Sequence, residues 1–263
     1  EFASLPATIA GGYAYHALIV GDAPRTITHA RHALDVVPPD DPYNHGIIAM
    51  FLGMGYWSNG ELLPAYHALV ESVQYLNLAN HLHFQVVGTV MLADIQMALG
   101  KLRDAQRTYE QALDMARTQT YGADRLPDDQ SGLLIPGTIN LYVGLAELYR
   151  RRGDQSTALD YLDTGFALSQ QTALNRSKHR LYITLARIHL AKGELGEALA
   201  YLRQIHAEQS PGVTPDGQLL PALKARLWLI QGRLDDGFDW VQARGLTATD
   251  SITYRNEFEY FTL

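Results

Sequence analysis

Apolar positions along the chain recur at helical spacing in segment after segment, and the segments are punctuated by glycines. Gly21, Gly60, Gly100, Gly153, Gly193 and Gly232 each close one apolar-periodic segment and are followed by a second. Their separations are 39, 40, 53, 40 and 39 residues, which makes the chain a repeat. The surrounding texts align as LGMGYWSNGELLPA, LADIQMALGKLRDA, LAELYRRRGDQSTA, LARIHLAKGELGEA and, more weakly, KARLWLIQGRLDDG. Five residues past the glycine stands Thr26 in the first copy, then Ala65, Ala105, Ala158, Ala198 and Gly237. Seven residues before it stand Ala14, Gly53, Ala93, Ala146, Ala186 and Ala225.

Two antiparallel helices approach closely only if small side chains face each other where they cross, so this pair of small positions predicts a helical hairpin. The glycine supplies the left-handed conformation that ends the first helix, and Asp22 and Asp154 after it suit the turn. Leu62, Leu102, Leu195 and Leu234 then anchor the second helix. No such hairpin buries its apolar face alone, so neighbours must stack into a superhelical solenoid. The expected architecture is all-α: a right-handed solenoid of about six hairpins at residues 3–41, 43–80, 81–120, 137–176, 177–210 and 216–246. Residues 251–263 read as the start of a seventh, and 117–137 as an inserted loop of about a dozen extra residues, with Pro127 and Pro136.

This pattern resembles the tetratricopeptide repeat, whose hairpin has a small residue in the first helix, an aromatic three residues later (Tyr56, Tyr149), a turn glycine and an alanine in the second helix. Ordinary copies run to about 34 residues; these run near 40. The longer period, the stretches SGLLIPGTINLYVGLAELYRRRGD and LADIQMALGKLRDAQRTYEQALDMA, and the terminal EFEYFTL resemble the sensor region of MalT-type regulators, the large ATP-binding LuxR-type (STAND-class) transcription activators. The resemblance implies a cytoplasmic, non-catalytic module flanked in a parent protein by a signalling ATPase and a helix-turn-helix DNA-binding domain. Neither a G-x-x-x-x-G-K-[ST] loop nor a basic recognition helix occurs in this chain. Glu1-Phe2 reads as the product of a cloning site, and the final helix-like run lacks a stop signal, so a larger parent is expected.

Composition narrows the function. Hydrophobic residues make up 47%, enough for a continuous core, and the formal net charge of -7 disfavours direct nucleic-acid binding. There is no cysteine, hence no disulfide framework, thiolate metal site or cysteine nucleophile. No apolar run reaches the roughly 18 to 20 residues of a membrane helix, and neither membrane partner nor cofactor is expected.

In such a solenoid the first helices line the concave face, and side chains four apart project into it. Set against their glycines, these are Tyr15, Met50 and Met54, Val90 and Asp94, Val143 and Glu147, Ile183 and Arg187, and Ala222 and Arg226; Ile47, Val87, Asn140 and Arg180 join them one turn earlier. The expected ligand-binding residues are Tyr15, Met50, Met54, Asp94, Asn140, Glu147, Arg180, Arg187 and Arg226. The groove grades from apolar to a stretch where Glu147 faces Arg180, Arg187 and Arg226, and guanidinium groups on neighbouring helices suit carboxylate or phosphate. Glu147 with Arg187 reads equally as a structural ladder pair, and the methionines as packing.

Other signals are weaker. His81 and His83 lack the further ligands of a metal site, Asp128-Asp129 and Asp235-Asp236 sit where acidic residues cap or are solvated, and no G-x-S-x-G elbow occurs. The inserted loop reads as a lid or as a spacer, with Tyr121, Leu133, Leu134 and Ile135 as the residues that decide. The function expected is a sensor whose groove takes a small-molecule inducer or a partner protein; for a sugar, Tyr15, Tyr56, Trp57 and Tyr142 are candidate aromatic platforms, with Tyr56 reading rather as packing within its hairpin. The alternative is a scaffold gripping a peptide, although Gly11, Phe51 and Met91 stand where carboxylate-clamping repeats place lysine and asparagine.

Overall fold

The computed structural model describes residues 4–121, 137–170, 175–205, 215–247, 249 and 250. The expected seventh repeat (251–263) lies outside these residues, as does most of the expected inserted loop. Its first five positions, 117–121, are helical and continue the helix that begins at Leu102.

The twelve described helices are α1 (Leu5–Ile19), α2 (Ala23–Asp35), α3 (Pro42–Ser58), α4 (Leu62–Leu78), α5 (Leu82–Ala98), α6 (Leu102–Tyr121), α7 (Thr138–Arg151), α8 (Gln155–Gln170), α9 (Asn175–Ala191), α10 (Leu195–Arg203), α11 (Pro215–Ile230) and α12 (Leu234–Arg244). Consecutive helices pair as six hairpins, and no strand occurs among the described residues. Each hairpin turns on one of the six spaced glycines, all with left-handed φ between 74° at Gly100 and Gly232 and 86° at Gly60. The side chain of Asp22 accepts from the Arg25 amide at 3.1 Å and that of Asp154 from the Thr157 amide at 3.1 Å, so both aspartates cap the helix that follows.

The small positions lie at the crossings. Thr26, Ala65, Ala105 and Ala158 are fully buried, and a Cβ on Gly53 would meet the Leu69 side chain at 2.7 Å. The first helices of successive hairpins (α1, α3, α5, α7, α9, α11) also touch one another, and each second helix packs on the first helix of the next hairpin. The core is accordingly a string of local clusters. One joins α1 to α5, the next α5 to α8, and the series runs on through Leu181, Leu202 and Leu227 to Trp240 in α12. Such an array is stabilised joint by joint.

Candidate functional site

The face where α5, α7 and α9 meet carries two buried carboxylates. Asp94 and Glu147 occupy the same place in successive repeats, six residues before the turn glycine. Their neighbours on that side are apolar and covered, with Val90, Val143 and Ile183 at most 5% exposed. Burying a charge this way is costly unless partners meet it.

Glu147 is met by three guanidinium groups. Arg150, one turn along α7, donates Nε at 2.8 Å and Nη2 at 2.7 Å, Arg151 donates Nε at 3.2 Å, and Arg187 of α9 lies at 3.0 Å. Burial alone would raise the Glu147 pKa. The Arg150 hydrogen bonds and the charges of Arg187, Arg150 and Arg151 outweigh burial and hold it at about 2. Arg151 also donates to the Met97 carbonyl of α5 at 3.4 Å, so the cluster touches three successive repeats.

Asp94 is met by Arg180 of α9, which reaches across α7, and by the hydroxyl of Tyr109 from α6. Tyr109 is fully buried, and that burial, with the neighbouring Asp94 charge, pushes its pKa well above the usual phenol value. The phenol therefore stays protonated and donates to the carboxylate. It reaches Asp94 by lying on Gly144, where a Cβ would fall 2.4 Å from the ring.

Of the other expected residues, Met50 and Met54 are buried in the first core cluster, Asn140 is half-buried on α7, and Arg226 is half-buried on α11, one hairpin beyond Arg187. Tyr15 is half exposed on α1 beside Phe51, with ring centroids 5.4 Å apart. The other three aromatic platforms are covered: Tyr56, Trp57 and Tyr142 are each below 10% exposed. Tyr56 takes a hydrogen bond from Arg31, and Tyr142 takes two from Arg117, at 3.2 and 2.9 Å. They pack between hairpins.

Sequence reasoning missed Arg150, Arg151 and Tyr109. The first two stand three and four residues after Glu147 and could have been found by helical spacing alone. Tyr109 is on a second helix, and its one signal is the glycine opposite it.

Neither Glu147 nor Tyr109 is set up for proton transfer. A carboxylate held at about 2 stays ionised at neutral pH and has no proton to give, and a phenol raised above its usual range does not act as a base. No group of three potential metal ligands occurs among the described residues, nor any helix long and apolar enough to cross a membrane. His81 and His83, the imidazoles singled out in the sequence, have ring centroids 6.5 Å apart.

Comparison with known proteins agrees with the fold. A family described as the MalT-like TPR region matches residues 7–263. No protein of curated function matches the chain. Among solved structures, the apo form of RapI superposes with a TM-score of 0.68 at 12% identity, over 93% of this chain and 65% of that one. The TPR-like repeats of a Podosopora anserina protein described as a kinesin light chain give 0.56 at 19% identity, over 80% and 97%. PilW, a type IV pilus biogenesis factor, gives 0.54 at 14% identity, over 91% and 93%. At these identities the likeness is one of fold.

Proposed function

The chain belongs to the family of MalT-like TPR regions, and from that premise we propose that it is the sensor module of a signal-responsive transcription regulator, with the effector bound on the face formed by α5, α7 and α9. The observation that carries this reading is the convergence of guanidinium groups from two helices on Glu147. Planar donors already held in place by a buried carboxylate are preorganised to receive an anionic or hydrogen-bonding group. In this reading ATP hydrolysis and DNA binding belong to flanking domains of a parent protein, and the effector acts by preferring one state of that parent.

A second reading is a scaffold for a partner protein or peptide. It is favoured by the pairing of Arg180 and Arg187 with carboxylates of the chain itself, since a partner making many shallow contacts need displace neither pair. Calorimetric titration of the chain with oligosaccharides, nucleotides and small dicarboxylates separates the two. Saturable binding to one of these, lost in the Arg187→Ala, Arg226→Ala double variant, supports the sensor groove. A folded chain silent to all of them supports the scaffold.

A further inference from the structure

On the inner first helices, burial is incomplete at the positions thirteen and nine residues before the turn glycine, a spacing of four that puts both on one side of a helix. On α3 these are Ile47 and Phe51, and on α5 they are Val87 and Met91. All four are half-buried, whereas the residues between them, 48–50 and 88–90, are covered. Phe51 also meets Tyr15 of α1, with ring centroids 5.4 Å apart, so the stripe crosses from one first helix to the next. Both α3 and α5 pack against a hairpin on either side, which makes this an inner surface and not an end of the stack. None of the four side chains forms a hydrogen bond.

A positive charge stands at the end of this stripe. Arg151 starts from α7 but reaches back to α5, where its Nη1 donates to the Met97 carbonyl at 3.4 Å. Met97 is six residues beyond Met91, or about 9 Å along the helix. Nε of Arg151 is taken by Glu147, and its Nη2 makes no hydrogen bond among the described residues. The Arg151 side chain is 40% exposed and that of Glu147 only 8%, so the guanidinium faces outward and the carboxylate behind it does not. Asp94 lies between Met91 and Met97, but it is buried and its charge is already met by Arg180 and Tyr109.

Resting on the reading of this face as a sensor groove, we propose that its ligand is a medium-chain carboxylate. The hydrocarbon lies along Val87 and Met91 of α5 with Phe51 beside it, and the carboxylate sits on Arg151, with Arg187 across Glu147 as its second cation. The apolar stretch decides against the other small ligands. A sugar would press its hydroxyls, and an extended peptide its amides, onto side chains that cannot answer them, and an unanswered polar group is costly to bury. The charge decides against a neutral hydrocarbon. A guanidinium with an unused N–H pair is the natural partner of a carboxylate, and a head group carrying one charge matches one outward-facing guanidinium at the end of the stripe. The chain as a whole carries -7, so an anion is repelled from most of its surface and drawn to this place.

The test is calorimetric titration of the chain with hexanoate, octanoate and decanoate, each below its micelle concentration, and with octanol as the uncharged match of octanoate. The expected result is one acid bound per chain, with affinity rising about fourfold for each methylene buried. Octanol should bind about tenfold more weakly than octanoate. Arg151→Gln should bring octanoate down to the level of octanol, and Met91→Gln should flatten the chain-length series, both with the helical circular-dichroism signal unchanged. Should either variant fail to fold, the comparison of octanoate with octanol and the chain-length series in the unmodified chain decide alone. Affinity independent of chain length, octanol bound as well as octanoate, or several acids taken up per chain each overturn the proposal. Saturable binding of an oligosaccharide, nucleotide or dicarboxylate by a chain that ignores all three acids overturns it too, and leaves the sensor reading standing. Silence toward every one of these compounds overturns both.

Discussion

The ring of Tyr109 occupies the space that any side chain on Gly144 would need, with its Cε1 and Cζ both 2.4 Å from a built Cβ. That contact lets Tyr109 of α6 lie against the next hairpin while its hydroxyl donates a hydrogen bond to Asp94 of α5. Gly144→Ala should therefore destabilise the chain by about 2–3 kcal/mol, since the neighbour in the way is a buried ring and cannot swing out. Gly88→Ala is the contrasting case: its nearest neighbour is 3.5 Å away, and removing a helical glycine there should leave stability unchanged or raise it by up to about 1 kcal/mol. Urea midpoints of the two variants, moving in opposite directions or with one unmoved, check the contact.

Arg180 ties the fifth hairpin to the third by reaching over α7 to Asp94. Removing one partner of a buried pair strands the other, so Arg180→Met should cost about 3 kcal/mol. Asp94→Asn should cost less, because an amide oxygen still accepts from Tyr109. In the double variant no buried charge is left stranded. The summed single effects should then exceed the double effect by on the order of 1–3 kcal/mol in a thermodynamic cycle.

The repeat architecture was legible because its signals are local. A glycine in left-handed backbone and a small residue at each crossing are read within a single hairpin, and all six turns fall where the spacing puts them. Glu147 beside Arg187 was legible for a related reason: the two hold the same place in adjacent copies, so stacking aligns them. Arg180 on Asp94 was not, because that bond skips a hairpin, and no local spacing aligns residues two repeats apart. The aromatic platforms misled for the opposite reason. Residue type marks Tyr142 as a possible sugar surface, but only packing shows its ring covered and its hydroxyl taken by Arg117, whereas Tyr56 is buried by packing, as its place in the repeat suggests.

Acid sensitivity should follow Glu147. Its folded pKa of about 2 lies below the ordinary 4.5, so its contribution to stability is fully present above the unfolded value and is lost as pH falls through the folded one. The window is therefore pH 4.5 down to 2. A depression of that size corresponds to about 3 kcal/mol. Glu147→Gln should be less stable than the parent chain at neutral pH, and the difference between them should shrink steadily on acidification through this window. Parallel unfolding curves at a series of pH values test it, and a constant difference would assign the stability of this site to packing instead.

Arg187 offers a way to separate binding from folding. Removing it leaves Glu147 still bonded to Arg150 and Arg151, so the buried carboxylate keeps two guanidinium partners and the fold should survive at a cost of about 1 kcal/mol. Arg180→Met instead removes the guanidinium that reaches Asp94 across α7, while the bond Asp94 takes from Tyr109 comes from a neutral hydroxyl. An effector that uses the α7–α9 part of the groove should accordingly lose about tenfold or more in affinity on Arg187→Ala, with the melting transition of the free chain little moved. In the parent chain that effector should raise the transition by mass action, in proportion to the logarithm of its concentration, and Arg187→Ala should need correspondingly more of it for the same shift. Loss of ligand response together with a large fall in the melting transition would instead make Arg187 a structural tie between hairpins, and would move the binding surface toward Tyr15 on α1.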